Sequence, residues 1–217
     1  MLPPVCPGCA EELRRGVWIC ADCRRRVRRV GSPVCFTCRR EGGGEREAGL
    51  GCSNPGHLQG RSAFWMEPPL DAVVHDLKYR DQPQLATALG ALLAREVPLP
   101  PGAVVTSLPL HRVRQRERGY NQAARIAEAA ARRWGVAPPE PALTRHRATR
   151  AQARLAAGHR AANVAGAFRC LDPDRVRSRI WVLVDDVVTT GSTLSEASTC
   201  LLEAGATWVM PVTLALA

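Results

Sequence analysis

Val182-Leu-Val-Asp-Asp-Val-Val-Thr-Thr-Gly-Ser-Thr193 is the stretch on which the reading of this chain turns. With Ile180 and Trp181 before it, the run to Val184 is apolar and β-branched, as expected of a strand buried in a parallel sheet. Two acids follow, then two apolar residues, then five positions crowded with hydroxyls around Gly191. In an open parallel sheet, ligands bind beyond the carboxyl ends of the strands, where Asp185 and Asp186 fall. Adjacent carboxylates point in different directions, so one reaches a sugar diol while the other takes a second hydroxyl, an amide or the hydration shell of Mg2+. Residues 189–193 then offer backbone amides and hydroxyls at a helix start, a cradle for a phosphate. Gly191 lets the backbone come close to that phosphate or take positive φ. No lysine follows it, so a Gly-Lys-Ser/Thr phosphate loop is excluded. The plainer alternative is that the acids end the strand and Ser192 or Thr193 caps the helix.

Outward from this turn the pattern alternates. Leu70, Val73, Val74 and Leu77 recur at helical spacing, and Leu85, Leu89, Leu92 and Leu93 repeat it, predicting two helices that end near Val97. Ala103-Val-Val-Thr-Ser107 reads as a short buried strand, followed by a helix from about Asn121 to Trp134. Residues 135–165 read as an excursion with at most one helix. A helix over 193–204, stopped by Gly205, and a strand over 207–214 complete the pattern. Strands alternating with helices predict an α/β fold with a mostly parallel sheet flanked by helices.

A diphosphate would need cations. Thr106-Ser-Leu-Pro-Leu110 runs into His111-Arg-Val-Arg-Gln-Arg-Glu-Arg118, where four alternating arginines near a strand end suit bidentate grip on phosphate oxygens. A solvated basic loop is the bland alternative. The chain carries 30 Lys and Arg against 20 Asp and Glu, a formal charge of +10, which favours polyanionic partners. Lys78 is the single lysine among those 30.

Nine cysteines occur in 217 residues, and seven lie between Cys6 and Cys52. Cys6-Pro-Gly-Cys9 and Cys20-Ala-Asp-Cys23 are two C-x2-C knuckles with the spacing of a zinc ribbon. Cys35-Phe-Thr-Cys38 opens a second set, completed by Cys52 and His57 as a Cys3His site. Cys170 and Cys200 read as buried residues that bind nothing. Residues 1–60 have too few large apolar side chains for a core of their own, so zinc is expected to supply the folding energy. The basic run Arg24, Arg25, Arg26, Arg28 and Arg29 follows the first knuckle pair; it suits a nucleic-acid backbone, with Trp18 or Phe36 stacking on bases, or simply a solvated face. No apolar run approaches the ~18 residues of a membrane span, and the first residues lack the pattern of an export signal. A cytoplasmic location without membrane insertion is expected.

The turn at 182–193 resembles the signature of type I phosphoribosyltransferases: an apolar strand, two acids and a Thr-Thr-Gly-x-Thr loop. Leu77-Lys-Tyr79, Arg118-Gly-Tyr-Asn-Gln-Ala123, Gln152, and Arg160-Ala-Ala-Asn-Val-Ala-Gly-Ala-Phe168 occur in the order found in the ComF/GntX family. With the cysteine pairs, that resemblance spans nearly the whole chain. It implies a zinc ribbon over 1–60, single or double, and a phosphoribosyltransferase-like domain over 65–217. It further implies that Asp185 and Asp186 hold the ribose hydroxyls of Mg2+-bound phosphoribosyl pyrophosphate and act in catalysis. Val187, Val188, Thr189, Thr190, Gly191, Ser192 and Thr193 would take the 5-phosphate, and Ser107, Leu108, Pro109 and Leu110 the pyrophosphate. Lys78, Arg112 and Arg118 would contact phosphate, with Gln152, Arg160 and Asn163 facing in from a flap over 144–163. Transfer of phosphoribose to an acceptor is the implied activity, in a competence and DNA-uptake setting. The alternative is a single-stranded-DNA-binding factor for natural transformation that uses the fold as a ligand sensor. Other competence proteins, such as a helicase, are the implied partners.

Overall fold

The computed structural model describes residues 4–14, 17–42, 52, 54, 56–79, 83–147 and 166–217. Gln152, Arg160 and Asn163, and most of the flap expected over 144–163, lie outside the described residues.

Three parallel pairings build the sheet. β6 (Ile180–Val188) lies between β3 (Val104–Ser107) and β7 (Trp208–Leu216), and β2 (Gln59–Trp65) pairs with the other side of β7. β1 (Val34–Cys35), from the cysteine region, pairs antiparallel with β2 and closes that edge. The expected α/β class with a mostly parallel sheet is therefore what the chain adopts. All of Trp181 to Val184 is buried, as a strand covered on both faces requires.

α2 (Leu70–Tyr79), α3 (Pro83–Glu96) and α5 (Gln122–Trp134) cover one face, and α7 (Ser192–Glu203) packs on β7 and β6. Leu70, Val73, Val74, Leu77, Leu85, Leu89 and Leu93 are all buried, the stripes seen in the sequence. The two predicted helices end at Glu96, next to Val97. α5 buries a face of small residues, Ala123, Ala127 and Ala130 around Ile126, which lets α3 approach closely. At the crossing, a Cβ on Gly90 would stand 2.6 Å from Ala129 Cβ. No helix among the described residues is long and apolar enough to cross a membrane.

Four readings change. The central strand does not stop at Val184: β6 continues through both aspartates to Val188, because β7 still pairs with it at Val187↔Ala215 and Val188↔Leu216. The arginine-rich segment after Leu110 is a two-turn helix, α4 (Arg112–Arg118), started by His111 and ended by Gly119 at φ 74°. Within residues 135–165 the described part carries a strand, β4 (Leu143–Arg145), paired with β5 (Phe168–Cys170). Cys170 and Cys200 are only partly buried, and they belong to neither metal-ligand cluster. Two short helices remain, α1 (Ala21–Arg26) in the first cysteine pair and α6 (Pro173–Val176) ahead of β6.

Candidate phosphate site and metal clusters

β3 and β6 stay paired only as far as Ser107↔Val184, where Leu108 N–H donates to the Val184 carbonyl at 2.8 Å. Beyond that point β6 has a neighbour on the β7 side alone. The gap on the β3 side is the crevice, and Asp185 and Asp186 stand at its mouth.

The two carboxylates have different surroundings. Asp186 is almost buried and pairs with Lys78 at the end of α2, Nζ to Oδ2 3.2 Å. The single lysine of the chain thus sits in the site. Asp185 accepts from the Asp186 backbone N–H at 2.8 Å, and Asp186 accepts from Val187 N–H at 2.7 Å. Burial pushes the Asp185 carboxyl well above the usual carboxylate range, and the charge of Asp186 adds to the effect. The Asp186 N–H and Lys78 oppose it.

At the loop, Gly191 takes φ 76° and forms the N-cap position of α7. No side chain caps this helix, so Ser192 and Thr193 do not play the capping role of the plainer alternative. Thr190 and Ser192 instead share a hydrogen bond between their hydroxyls, 3.0 Å. The helix dipole of α7 favours an anion at this end.

Residues 118–123 organise the opposite wall. Asn121 caps α5 by accepting from Ala124 N–H, and its Nδ2 donates to the Leu108 carbonyl at 3.0 Å. Tyr120 donates its hydroxyl to the Leu77 carbonyl at 2.7 Å, fixing the end of α2 that carries Lys78. Arg118 donates to the buried Gln122, 3.3 Å, and lies 5.7 Å from the centre of the Tyr79 ring. A cavity of about 460 Å3 opens here between Lys78, Tyr79, Arg114, Arg118 and Tyr120. Because α4 is helical, its four arginines split by faces: Arg114 and Arg118, four apart, line this cavity together. Arg112 is exposed and does not line it. Ser107, Leu108, Pro109 and Leu110 form the strand-end turn, with Leu108 buried.

Arg145 joins the site only in the folded structure. Its guanidinium lies 5.4 Å from the centre of the Phe168 ring, with Asp185 and Arg114 as its charged neighbours. Burial lowers its pKa and the Asp185 charge raises it. Arg145 therefore brings a second cation to the aspartate pair from the start of the expected flap. A three-residue strand is too short to show a period, so no local signal marked it.

Both cysteine clusters have the geometry of a metal site. The ligand atoms of Cys6, Cys9, Cys20 and Cys23 all lie within 4.8 Å of one another, and so do those of Cys35, Cys38, Cys52 and His57. A zinc tetrahedron with ~2.3 Å Zn–S bonds has edges of about 3.8 Å. Cys9 to Cys20 and Cys38 to Cys52 each measure 3.6 Å between sulfurs, and His57 Nδ1 stands 3.6 Å from Cys35 and 3.2 Å from Cys52. The N–H groups of Cys23 and Cys38 point at the sulfurs of Cys20 and Cys35, as expected around thiolates. The Arg40 backbone N–H, followed by the Cys35 side chain, draws the Cys38 thiol down to about 6. At Cys6, burial acts upward but hydrogen bonds led by the Cys20 N–H outweigh it, giving about 7. The donor sets fit zinc.

The basic run is less free than its sequence suggests. Arg25 pairs with Asp22, Arg28 with Glu67 at 3.4 Å, Arg29 with Glu96 at 2.6 Å, and Arg26 donates to Cys23 Sγ at 3.1 Å. Phe36 is fully buried and cannot stack on a base, correcting that expectation. Trp18 is half-buried and lines a cavity of about 320 Å3 with Arg24, Arg25, Arg29 and Arg95.

No protein-family model matches the chain. It is 35% identical to the DNA utilization protein YhgH of Salmonella typhi, covering 96% of this chain and 95% of that one. Competence protein F of Haemophilus influenzae is 31% identical over 63% of each chain. Among solved structures, the glutamine phosphoribosylpyrophosphate (PRPP) amidotransferase from B. subtilis, complexed with ADP and GMP, matches 64% of this chain with 23% identity and a TM-score of 0.44. The chain spans only 30% of that enzyme.

Proposed function

The chain belongs to the ComF/GntX family of competence and DNA-utilization proteins, and from that premise we propose that its crevice binds Mg2+-phosphoribosyl pyrophosphate and transfers phosphoribose to an acceptor. One observation carries the reading. The uncapped N-terminus of α7 at Gly191 lies directly along the chain from a desolvated pair of aspartates, across from a wall holding Lys78, Arg114 and Arg118. A phosphate, a diol and a diphosphate have their chemical complements there in that order.

Residues 189–193 hold the 5-phosphate through backbone amides, and Asp185 and Asp186 accept from the ribose hydroxyls. Breaking the bond from the anomeric carbon to pyrophosphate leaves an oxocarbenium-like centre and a departing anion. Arg114 and Arg118 face that anion, and their fixed charges stabilise it without reorganisation. Asp185 and Asp186 are the residues that would hold Mg2+ with the ligand, and the ion would supply further charge neutralisation. The acceptor forms the new bond to the anomeric carbon on the face opposite the departing pyrophosphate, and the proton its nucleophile loses passes to water.

Calorimetric titration of the whole protein with phosphoribosyl pyrophosphate and Mg2+ tests the reading. Binding is expected in wild type, with affinity at least tenfold lower in Asp186→Asn; no binding by wild type overturns it. Pyrophosphate release with nucleobases, amines and nucleic acid as acceptors tests the transfer.

A second reading is favoured by the Trp18 cavity: a single-stranded nucleic acid laid along Arg24, Arg25 and Arg95 with a base against Trp18. Exposed ion pairs such as Arg25 with Asp22 contribute little and exchange readily for phosphates. Binding should weaken with salt by a logarithmic slope of about −0.7 per phosphate neutralised. Loss of affinity on neutralising Arg24 and Arg25 supports this; unchanged affinity removes it.

A further inference from the structure

The second cysteine cluster touches the phosphate loop. Phe36, which follows Cys35, and Leu58, which follows His57, pack on Gly191: a Cβ built on that glycine would stand 3.2 Å from Phe36 Cβ and 3.5 Å from Leu58 Cδ2. Phe36 N–H donates to the Leu58 carbonyl at 2.9 Å, joining the two ends of the ligand set behind the loop. Arg39, which follows Cys38, reaches across and donates Nη2 to the Thr189 carbonyl. Arg39 owes its direction to the knuckle: its N–H donates to the Cys35 carbonyl at 2.9 Å, the Cys35 N–H returns to the Arg40 carbonyl at 2.9 Å, and the residue takes φ 65°.

The peptide plane converts that contact into orientation. In a trans peptide the carbonyl of Thr189 and the N–H of Thr190 point in opposite directions. Holding the carbonyl toward Arg39 turns the Thr190 N–H away from it, toward the inside of the loop. The other terminal nitrogen, Nη1, is buried without a hydrogen-bond partner, so the guanidinium keeps a spare donor beside a loop that has no lysine.

We propose that Arg39 is a positioning residue for the phosphate loop, presented by the Cys35/Cys38/Cys52/His57 metal cluster, so that metal held there and an anion held at residues 189–193 strengthen one another. This rests on the phosphate reading of that loop. Coupling between two sites is reciprocal. An anion that tightens the loop must therefore tighten metal binding, and a metal that fixes the knuckle must tighten anion binding.

The probe is ribose 5-phosphate, titrated calorimetrically into the zinc-loaded full chain. Arg39→Met is expected to bind it roughly tenfold more weakly while keeping wild-type zinc content, and Arg39→Lys to recover part of the loss. An equilibrium readout separates positioning from simple packing: with ribose 5-phosphate bound, wild type should need more of a colorimetric chelator to release zinc at equilibrium, for one of the two zinc ions only. That protection should vanish in Arg39→Met. If Arg39→Met binds as wild type does, or the ligand leaves zinc release unchanged in wild type, the coupling is overturned while the phosphate reading stands. If wild type does not bind ribose 5-phosphate at all, both are overturned.

Discussion

On the proposed reading of the crevice, Asp185 serves binding at the expense of the unliganded fold. Its carboxyl is pushed well above the usual range by burial and by Asp186, so folding disfavours its charged form. A raised acid contributes its stabilisation fully below the unfolded value of ~3.9, and that contribution is lost as pH climbs through the folded value. Asp185→Asn removes the loss. The variant is expected to be more stable than wild type at neutral pH, on the order of 1 kcal/mol, with the difference vanishing below pH ~4. Thermal melts across pH check this. Ligand binding should fall at least tenfold in the same variant, since the diol needs the carboxylate. In wild type, binding should release protons and tighten as pH rises, which calorimetry in buffers of different ionisation enthalpy detects. Of the site, Asp185, Asp186 and residues 189–193 were legible because they are contiguous. Arg145 was not, because it reaches Asp185 only through folding, and which of the arginines after Leu110 line the cavity was likewise decided by folding.

Among the elements, α4 and the α3–α5 crossing show two kinds of surprise. Alternating arginines after Leu110 carry no helical apolar stripe, since α4 buries nothing, and periodicity could not reveal it. Its helicity decides which arginines meet the cavity. Charge loss at Arg114 or Arg118 should weaken pyrophosphate binding about tenfold each, and the same change at Arg112 should leave it near wild type; competition titration distinguishes them. The crossing of α3 and α5 was invisible in a different way. Gly90 looks like a weak spot within a helix, yet Ala129 leaves no room for a methyl group there. Gly90→Ala should destabilise by about 1–3 kcal/mol despite its better helix propensity. Chemical denaturation gives the sign, and a gain in stability would refute the packing argument.

Across the whole molecule, the cysteine region is built into the α/β part. Cys6, Ile19, Cys20 and Cys23 share a buried cluster with Leu70, Val73 and Leu77, and β1 extends the sheet. Zinc removal should therefore act beyond the knuckles: a strong chelator is expected to lower the main unfolding transition by more than ~10 °C, given the roughly 10–16 kcal/mol of structural zinc sites. Scanning calorimetry with and without chelator checks it. The sequence by itself determined whatever is local or periodic. The central strands β3, β6 and β7 and the helices α2, α3, α5 and α7 followed from apolar spacing, the metal-ligand sets from cysteine spacing, and the candidate phosphate turn from twelve consecutive residues. Only the tertiary structure decided that Lys78 meets Asp186, that Arg145 faces Asp185, and that Arg39 holds the Thr189 carbonyl. These pairs lie 40 to 150 residues apart, and a contact across such a distance depends on the register and packing of every element between, which no local pattern encodes.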